Sequence, residues 1–243
     1  EAPCAWPCCA RLEMPLSKPS PSASSKLPSR VCVSIRERSV ARMGKALEGI
    51  AFAELRLDSL ADPGEDLGPL FDGPRRTIAT CREGKLHPRE RDAVLRRAMV
   101  AGARSIDVEW ETPSRRRSAL IAEAARRGVE VIVSSHLDHT PDAEFLRRLR
   151  DRGFAAGADI VKIACAVRKP SDNAVLLGLI EPDSRLVVIG LGRKGLPSRL
   201  LAPLLGAEFT FALPDGSRPN ALGQLPYSAT LGAMHALRQA MGG

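Results

Sequence analysis

The chain has 243 residues, a net charge of +8 at pH 7, 44% hydrophobic residues and 4% aromatic residues. Its longest apolar runs are strand-sized and interrupted by charge, so the sequence does not predict a membrane-spanning segment, and we expect no membrane partner. The positive charge lies in arginine pairs on successive predicted helices, which indicates solvated helix faces, and so few aromatic residues also argue against a nucleic-acid partner.

Residues 1–30 are rich in proline and serine and lack a continuous apolar core, which predicts a disordered N-terminal extension. Three of the six cysteines lie there without a second pair at zinc-site spacing, so we predict no metal site. The other three, Cys32, Cys81 and Cys165, fall in predicted strands and are typical of small buried residues in a reducing compartment. We therefore expect a cytoplasmic protein.

From residue 31 to residue 243, strand-like and helix-like segments alternate, which predicts one domain of repeated β-α units around a parallel sheet. The predicted strands are Val31–Ile35, Ala51–Leu57, Arg76–Cys81, Ser105–Trp110, Glu130–Ser135, Asp159–Val167, Arg185–Leu191 and Glu208–Leu213. The predicted helices are Val40–Gly49, Arg89–Val100, Arg115–Arg127, Ala143–Arg150, Ser171–Ile180, Pro197–Leu205 and Tyr227–Met241, with a turn or two more around Asp66–Phe71. This order fits a compact (β/α)8 TIM barrel better than an open sheet.

Polar side chains collect at the carboxyl ends of these strands, where barrel enzymes carry their chemistry. They are Ser34, Glu54, Arg56, Arg82, Asp107, Glu109, His136 and Lys162, with Arg199 just past the seventh strand. Residues two apart on a strand share a face, so Glu54 and Arg56 point to one side, as do Asp107 and Glu109. In a barrel that side can be the interior.

Lys162 lies in the middle of an apolar strand, in a chain with only seven lysines against twenty-nine arginines. Burial disfavours an ammonium ion and favours the neutral amine, which is a nucleophile for carbonyl carbon. His136 ends the preceding strand and carries the side chain best suited to proton transfer near neutral pH. Together the two residues predict Schiff-base chemistry.

Other interpretations of these residues stay open at this point. Lys162 can be a structural lysine whose stem crosses the core to a carboxylate, and His136 can be a hydrogen-bonded residue at a strand end. Glu54 and Arg56 fit either an internal ion pair or a ligand site. Asp107 and Glu109 fit either an orienting role toward His136 or a structural network.

A glycine-rich loop follows the seventh predicted strand, with Gly190, Gly192 and Gly195 at the spacing of a dinucleotide fingerprint. The acidic residue beyond it opens the next strand instead of ending it, and only one strand remains. We therefore prefer an anion site, with Arg199 near a helix start to hold a carboxylate or phosphate.

Seven segments, in order, resemble the type I 3-dehydroquinate dehydratase family, from about Val31 to the C-terminus. They are Glu54-Leu-Arg56-Leu-Asp58, Thr80-Cys-Arg82-Glu83-Gly84, Ile106-Asp-Val-Glu109, Ser134-Ser-His136, Asp159-Ile-Val-Lys162-Ile-Ala, Gly195-Leu-Pro-Ser-Arg199 and Gly223-Gln224. The resemblance implies a hydro-lyase of the shikimate pathway that converts 3-dehydroquinate to 3-dehydroshikimate without a cofactor or metal. Because the barrel is small, we also expect a homodimer formed through the outer helices.

By the same resemblance, Lys162 forms an imine with the substrate ketone, and His136 takes a proton from the adjacent carbon and then helps water leave. Other residues are implied to bind the substrate: Arg199, Arg56 and Gln224 its carboxylate, Glu54 and Arg82 its ring hydroxyls, with Ser34 lining the site. Asn220 falls where the family tends to have a serine. Glu83 occupies approximately the place of the family's glutamate, so Glu83, Asp107 and Glu109 are candidate relay residues.

Two other functions compete with this interpretation. A strand lysine in a barrel also serves Schiff-base aldolases, whose substrates usually carry phosphate. A non-catalytic sensor of dehydroquinate-like acids would bind the same ligand without turnover.

Overall fold

The computed structural model describes residues 30–82, 84, 86–181, 184–218 and 222–242. The predicted N-terminal extension, residues 1–30, therefore lies almost entirely outside the described residues. Eight strands alternate with eight α-helices. The strands are β1 (Val31–Ile35), β2 (Phe52–Arg56), β3 (Arg76–Thr80), β4 (Ser105–Glu109), β5 (Glu130–Leu137), β6 (Ile160–Ala166), β7 (Leu186–Leu191) and β8 (Thr210–Ala212).

All strand pairs are parallel and follow the order β7-β6-β5-β4-β3-β2-β1-β8. The pairing of β1 with β8 brings the two ends of the sheet round toward each other. Across the remaining gap, the Glu208 N–H just before β8 donates to the Leu186 carbonyl of β7 at 2.8 Å. The predicted TIM barrel is thus confirmed as a nearly closed barrel.

The helices cover the outside of the barrel. They are α1 (Val40–Ala46), α2 (Gly68–Phe71), α3 (Pro88–Val100), α4 (Ser114–Arg127), α5 (Ala143–Ala155), α6 (Ser171–Leu177), α7 (Leu196–Leu201) and α8 (Tyr227–Ala240). Their starts follow ordinary capping chemistry: His87 and Glu90 form a capping box at α3, and Asp142 accepts from the Phe145 N–H at α5.

Some predicted boundaries were wrong at helix and strand ends. The helix predicted to reach Ile180 ends at Leu177, because Leu179 and Ile180 donate to the Leu176 and Leu177 carbonyls three residues back and so form a tighter turn. The helix predicted over Pro197–Leu205 changes into a 3-10 turn at Ala202, where Pro203 removes a backbone N–H. Strand β5 runs two residues further than predicted, which makes His136 part of the strand.

Apolar side chains pack on both faces of the sheet, inside the barrel and against the outer helices. The near-continuous hydrophobic strands predict this burial on both faces. The interior holds a cluster of Cys32, Phe52, Ile78, Ile132, Ile160, Ala164, Val187, Ile189, Phe209 and Phe211. Two larger clusters lie between the strands and the helices. Cys32, Cys81 and Cys165 are free and buried, as predicted, and burial raises the pKa of both Cys81 and Cys165 to about 12.

An ionic cluster lies at the amino ends of the strands. Arg185 pairs with Glu130 at 2.8 Å and with Glu208 at 2.9 Å, and Arg76 also reaches Glu208 at 3.2 Å. The Arg76 guanidinium stacks on Phe52, 4.4 Å from the ring centroid. These ion pairs lie at the end of the barrel opposite the polar residues described below. In the described part of the chain, no helix is both long enough and apolar enough to cross a bilayer.

Candidate active site

A cavity of about 420 Å³ opens at the carboxyl ends of the strands. Its lining residues are Ser34, Arg36, Glu54, Arg56, Arg82, His136, Lys162, Ala164, Ile189, Leu191, Arg199, Phe211, Leu213, Leu222 and Gln224. Eight of these are predicted site residues, and they come from seven of the eight strands or the segments that follow them. The predicted site residues therefore lie together around one cavity, although they extend from Ser34 to Gln224 in the sequence.

Lys162 stands on β6 with 4% of its surface exposed. Its Nζ lies 2.9 Å from Asp107 Oδ2, 3.7 Å from Glu54 Oε1 and 4.4 Å from the centre of the Phe211 ring. The side chain is thus a buried amine with two carboxylates beside it, which offset the cost of removing its charge from water. It also lines the cavity, so a ligand carbonyl can reach it.

Asp107 is fixed from three sides. Its Oδ1 accepts from the Ser134 hydroxyl at 2.5 Å, and its Oδ2 accepts from Lys162 and, at 3.1 Å, from Arg82. Burial alone would raise the pKa of Asp107, but the charges of Arg82 and Lys162 hold it well below the ordinary value. Asp107 is therefore a permanent carboxylate, and it does not hydrogen-bond to His136 in the described structure.

Glu54 points into the same space from β2. Its Oε2 accepts from the Ser34 hydroxyl at 2.5 Å and its Oε1 from the Thr80 hydroxyl at 3.0 Å. Two hydroxyl donors thus orient the carboxylate. Because a carboxylate has about four lone-pair sites, Glu54 keeps capacity to accept from the hydroxyl of a ligand.

Arg82, at the end of β3, links the acidic residues of the site. Its Nη1 donates to Glu109 Oε1 at 3.1 Å and to Ser134 Oγ at 3.0 Å, and lies 3.2 Å from His136 Nδ1. Glu109 in turn accepts from Arg91 of α3 at 2.5 Å. Burial would lower the pKa of Arg82, but the carboxylates around it, Asp107 first, raise it above the ordinary value.

His136 is exposed to the cavity at the end of β5. Its partial removal from bulk water, followed by the positive charges of Arg82 and Lys162, lowers the pKa of His136 to about 3. The imidazole is therefore neutral across the usual working range of pH. A neutral imidazole can accept a proton, as a general base must.

Arg56 pairs with a residue that the sequence analysis did not select. Its Nε and Nη2 donate to the two oxygens of Asp58 at 2.9 and 2.8 Å, in a bidentate pair. The internal ion pair between Glu54 and Arg56 that spacing allowed is not formed. Asp58 also accepts from the Arg82 backbone N–H at 3.2 Å, so it connects the ends of β2 and β3.

Arg199 lies on α7 with 3% of its surface exposed. Its Nε donates to the Gly190 carbonyl at 2.7 Å and its Nη2 to the Leu222 carbonyl at 3.0 Å. Its Nη1 is buried and has no hydrogen-bond partner among the described residues. Burial lowers the pKa of Arg199 to about 10, still well above neutrality, so the guanidinium stays charged.

The glycine-rich loop is what lets α7 come so close to β7. A Cβ at Gly195 would overlap the Gly190 backbone, and a Cβ at Gly223 would overlap the Gly192 carbonyl. The glycines therefore serve close backbone packing, and they place Arg199 at the cavity wall. The anion site at this loop stays a prediction.

The sequence model of the type I 3-dehydroquinase family matches residues 31–241. The chain belongs to the type I 3-dehydroquinase family. A 3-dehydroquinate dehydratase of Dehalococcoides mccartyi is 35% identical over 204 residues, which cover 80% of this chain and 90% of the relative. A bifunctional 3-dehydroquinate dehydratase/shikimate dehydrogenase of Arabidopsis thaliana is 37% identical over 216 residues, which cover 82% of this chain and 36% of the relative.

Solved structures of 3-dehydroquinate dehydratases share the barrel fold. The type I 3-dehydroquinate dehydratase of Clostridium difficile, with covalently modified comenic acid, has a TM-score of 0.77 at 21% identity and covers 87% of this chain and 92% of its own. The Aquifex aeolicus 3-dehydroquinate dehydratase has a TM-score of 0.70 at 23% identity, covering 85% and 97%. The match to the family model confirms the resemblance noted from seven sequence segments.

In this type I 3-dehydroquinase, two predicted site residues, Glu83 and Asn220, lie outside the described residues. Sequence analysis also missed several residues of the site. Arg36 lines the cavity from the loop after β1, and Phe211 packs against the Lys162 amine. Ser134 was quoted in a motif but not selected, although a hydroxyl two residues before His136 on the same strand face was a usable signal.

Proposed function

We propose that Lys162 and His136 catalyse the dehydration of 3-dehydroquinate to 3-dehydroshikimate, a hydro-lyase reaction of the shikimate pathway. The observation that carries the proposal is a buried primary amine and a neutral imidazole on the wall of one cavity. Membership of the type I 3-dehydroquinase family supports the choice of substrate.

Lys162 starts as the ion-paired partner of Asp107, so the reaction begins when its ammonium group gives up one proton and the resulting amine adds to the ketone carbon. The released proton joins the former ketone oxygen, which leaves as water, and a protonated imine forms. This imine draws electrons from the neighbouring C–H bond, so His136 can remove the proton and an enamine forms. The enamine electrons then expel the hydroxyl group, which takes the proton from His136 and leaves as water. Hydrolysis of the conjugated imine releases 3-dehydroshikimate and restores the lysine.

The substrate carboxylate is assigned to Arg199, whose buried Nη1 has no partner among the described residues. A charged donor buried without an acceptor is costly, and a ligand carboxylate supplies the acceptor. Gln224 and Arg56, which also line the cavity, are proposed to bind the same end of the substrate.

The ring hydroxyls are assigned to Glu54 and Arg82, with Ser34 orienting Glu54 through its 2.5 Å hydrogen bond. Asp107 and Glu109 are proposed to act indirectly. Asp107 holds Lys162, and Glu109 holds Arg82. Neither carboxylate hydrogen-bonds to His136 in the described structure, so their proposed roles run through Lys162 and Arg82.

Reductive trapping tests the proposal. The enzyme is mixed with 3-dehydroquinate and borohydride, and the intact mass and modified peptide are determined by mass spectrometry. We expect a ligand-sized adduct on Lys162 and, without borohydride, the absorbance of the conjugated enone. Lys162→Arg should abolish both signals, because a guanidinium forms no imine.

Lys194→Arg is the matched control, because Lys194 is exposed and donates to the Arg168 carbonyl outside the cavity. Its trapping and turnover should equal those of the wild type. An adduct on another lysine, or turnover that survives in Lys162→Arg, would refute the assignment of Lys162.

We also propose that the chain forms a homodimer through its outer helices and works in the reducing cytoplasm. Val100 at the end of α3 is 68% exposed, which suits burial against a second copy. The three free, buried cysteines suit a reducing compartment. Light scattering of the purified chain should give twice the chain mass, and Val100→Glu should shift it toward the monomer; a wild-type monomer would refute the dimer.

A further inference from the structure

Arg82 touches the imidazole of the proposed base. The distance from Arg82 Nη1 to His136 Nδ1 is 3.2 Å. A guanidinium has only donors, so the contact is a hydrogen bond only when Nδ1 carries a lone pair. If Nδ1 carried a hydrogen, that N–H would face an N–H of Arg82, and two donors cannot form a hydrogen bond. In a neutral ring the proton then belongs on Nε2.

Resting on the function proposed above, we propose that Arg82 is a positioning residue that holds His136 as its Nε2–H tautomer and covers the Nδ1 lone pair. When a substrate hydroxyl binds, Arg82 donates its N–H groups to that hydroxyl and no longer to His136. The Nδ1 lone pair is then free to accept the proton from the substrate carbon. Substrate binding and base activation thereby become one event.

The contacts of Arg82 make such an exchange possible. Its Nη1 has two hydrogens shared among three acceptors: Ser134 at 3.0 Å, Glu109 at 3.1 Å and His136 at 3.2 Å. The Ser134 hydroxyl gives its own proton to Asp107, so it can only accept from Arg82. The contact to His136 is the longest of the three and the one without an acidic or hydroxyl acceptor.

The surrounding charges keep the His136 imidazole neutral in the enzyme without substrate. Arg82, Lys162 and Arg56 oppose a positive imidazole, and Asp107 favours one. The pKa of His136 is accordingly lowered, with burial as the first cause and Arg82 as the second. When Arg82 turns to the substrate, its opposition weakens, and a proton from carbon is accepted more easily.

His136 carries one proton from the substrate carbon to the departing hydroxyl group. The C–H proton moves to His136 Nδ1, the C–H electron pair moves into the enamine, and the ring becomes an imidazolium. That imidazolium next gives one proton to the departing hydroxyl, which leaves as water. The ring returns to its neutral form, and Arg82 can cover Nδ1 again once the product has left.

Nitrogen-15 NMR of the imidazole rings tests the tautomer directly. The wild type is labelled with ¹⁵N-histidine, and the His136 signals are identified by their loss in His136→Asn. We expect one neutral tautomer with the proton on Nε2 at neutral pH, moving toward other forms when product is added. A proton on Nδ1, an even mixture or an imidazolium in the free enzyme would overturn the proposal.

Two variants distinguish the effect of the Arg82–His136 contact from the effect of positive charge in the cavity as a whole. Arg82→Gln should give a mixture of tautomers and raise the pH midpoint of the His136 titration. Arg36→Gln removes another cation from the same cavity wall, and it should leave the tautomer unchanged. Equal effects of the two variants would contradict a specific Arg82 contact.

The test does not depend on turnover. The variant His136→Asn serves only to assign the signals, and the wild-type spectrum reports the tautomer even when no adduct forms on Lys162. A single Nε2–H tautomer without imine trapping would therefore sustain the positioning role of Arg82 and refute the proposed function. Trapping with the opposite tautomer would do the reverse.

Discussion

Lys162 and Asp107 form an ion pair of 2.9 Å between strands that are not neighbours, since β5 lies between β4 and β6. Glu54 of β2 and Phe211 of β8 complete the contacts of the lysine, at 3.7 and 4.4 Å. All four residues come from even-numbered strands. They form one layer of the barrel interior, of the kind that alternate strands build in this fold. The proposed nucleophile is thus held by a layer of the core.

Replacing Asp107 by Asn should destabilise the fold in a pH-dependent manner. Removing one partner of a buried pair costs about 3 kcal/mol of unfolding free energy. Because the folded-state pKa of Asp107 is depressed, its contribution is complete above about pH 4 and is lost as pH falls below that value. Urea unfolding at several pH values should show a difference from the wild type that shrinks with acid. Asp72→Asn, at an exposed position, is the control, and a gap that stays constant with pH would contradict the pairing.

The pH profile of kcat/KM should lack an inflection from His136 near neutrality. A general base works when it is deprotonated, and with a pKa of about 3 His136 stays deprotonated as the pH is lowered from 8 to about 5. We expect kcat/KM, which reports the free enzyme, to remain level over that range. The measurement is initial rates of enone formation. An acid limb centred near about 6.5, the ordinary value for histidine, would disprove the shift.

Arg199→Lys should weaken substrate binding more than it slows chemistry. Lysine keeps the charge but cannot satisfy the Gly190 and Leu222 carbonyls while also reaching a carboxylate. Loss of a charged hydrogen bond predicts a KM increase of roughly 10- to 100-fold, with a smaller fall in kcat. Arg193→Lys, at an exposed position in the preceding turn, should keep the wild-type KM. A loss confined to kcat would place Arg199 elsewhere in the reaction.

Gly223→Ala should disturb Arg199 without touching it. The added Cβ would overlap the Gly192 carbonyl and push Leu222, the acceptor for Arg199 Nη2, away from its position. Gly216→Ala is a matched control, because its φ of +82° is close to the +76° of Gly223 but a Cβ there meets open space. Steady-state kinetics should give a several-fold higher KM for Gly223→Ala only. Equal effects in both variants would show that backbone strain, and not Arg199, is responsible.

The sequence predicted the fold well because its signals were local. Alternation of apolar strands with amphipathic helices is written in consecutive residues, and the family resemblance lies in short ordered segments. Element ends were less predictable, as at Leu177, where the hydrogen bonds tighten into a turn that the apolar pattern does not mark. The placement of Lys162 in a buried strand and of His136 at the end of its neighbour followed from the same local pattern.

The contacts inside the site could not be predicted in this way. The layer that joins Glu54, Asp107 and Lys162 depends on how far each strand is staggered around the barrel, which no local pattern encodes. The Arg56 pair with Asp58 was equally hidden, since period-two spacing gave Glu54 as the same-face neighbour. Arg36 follows a strand that was identified correctly, but it looks like any surface arginine until the cavity is seen.

The ionic cluster at the amino ends of the strands determines where substrate enters the barrel and where product leaves it. Arg185, Glu130, Glu208 and Arg76 fill that end of the barrel, with Arg76 stacked on Phe52. Substrate, product and the water released by each turnover must then share the mouth at the opposite end. A product molecule that has not yet departed stands in the path of the next substrate, so accumulating product should inhibit the enzyme competitively.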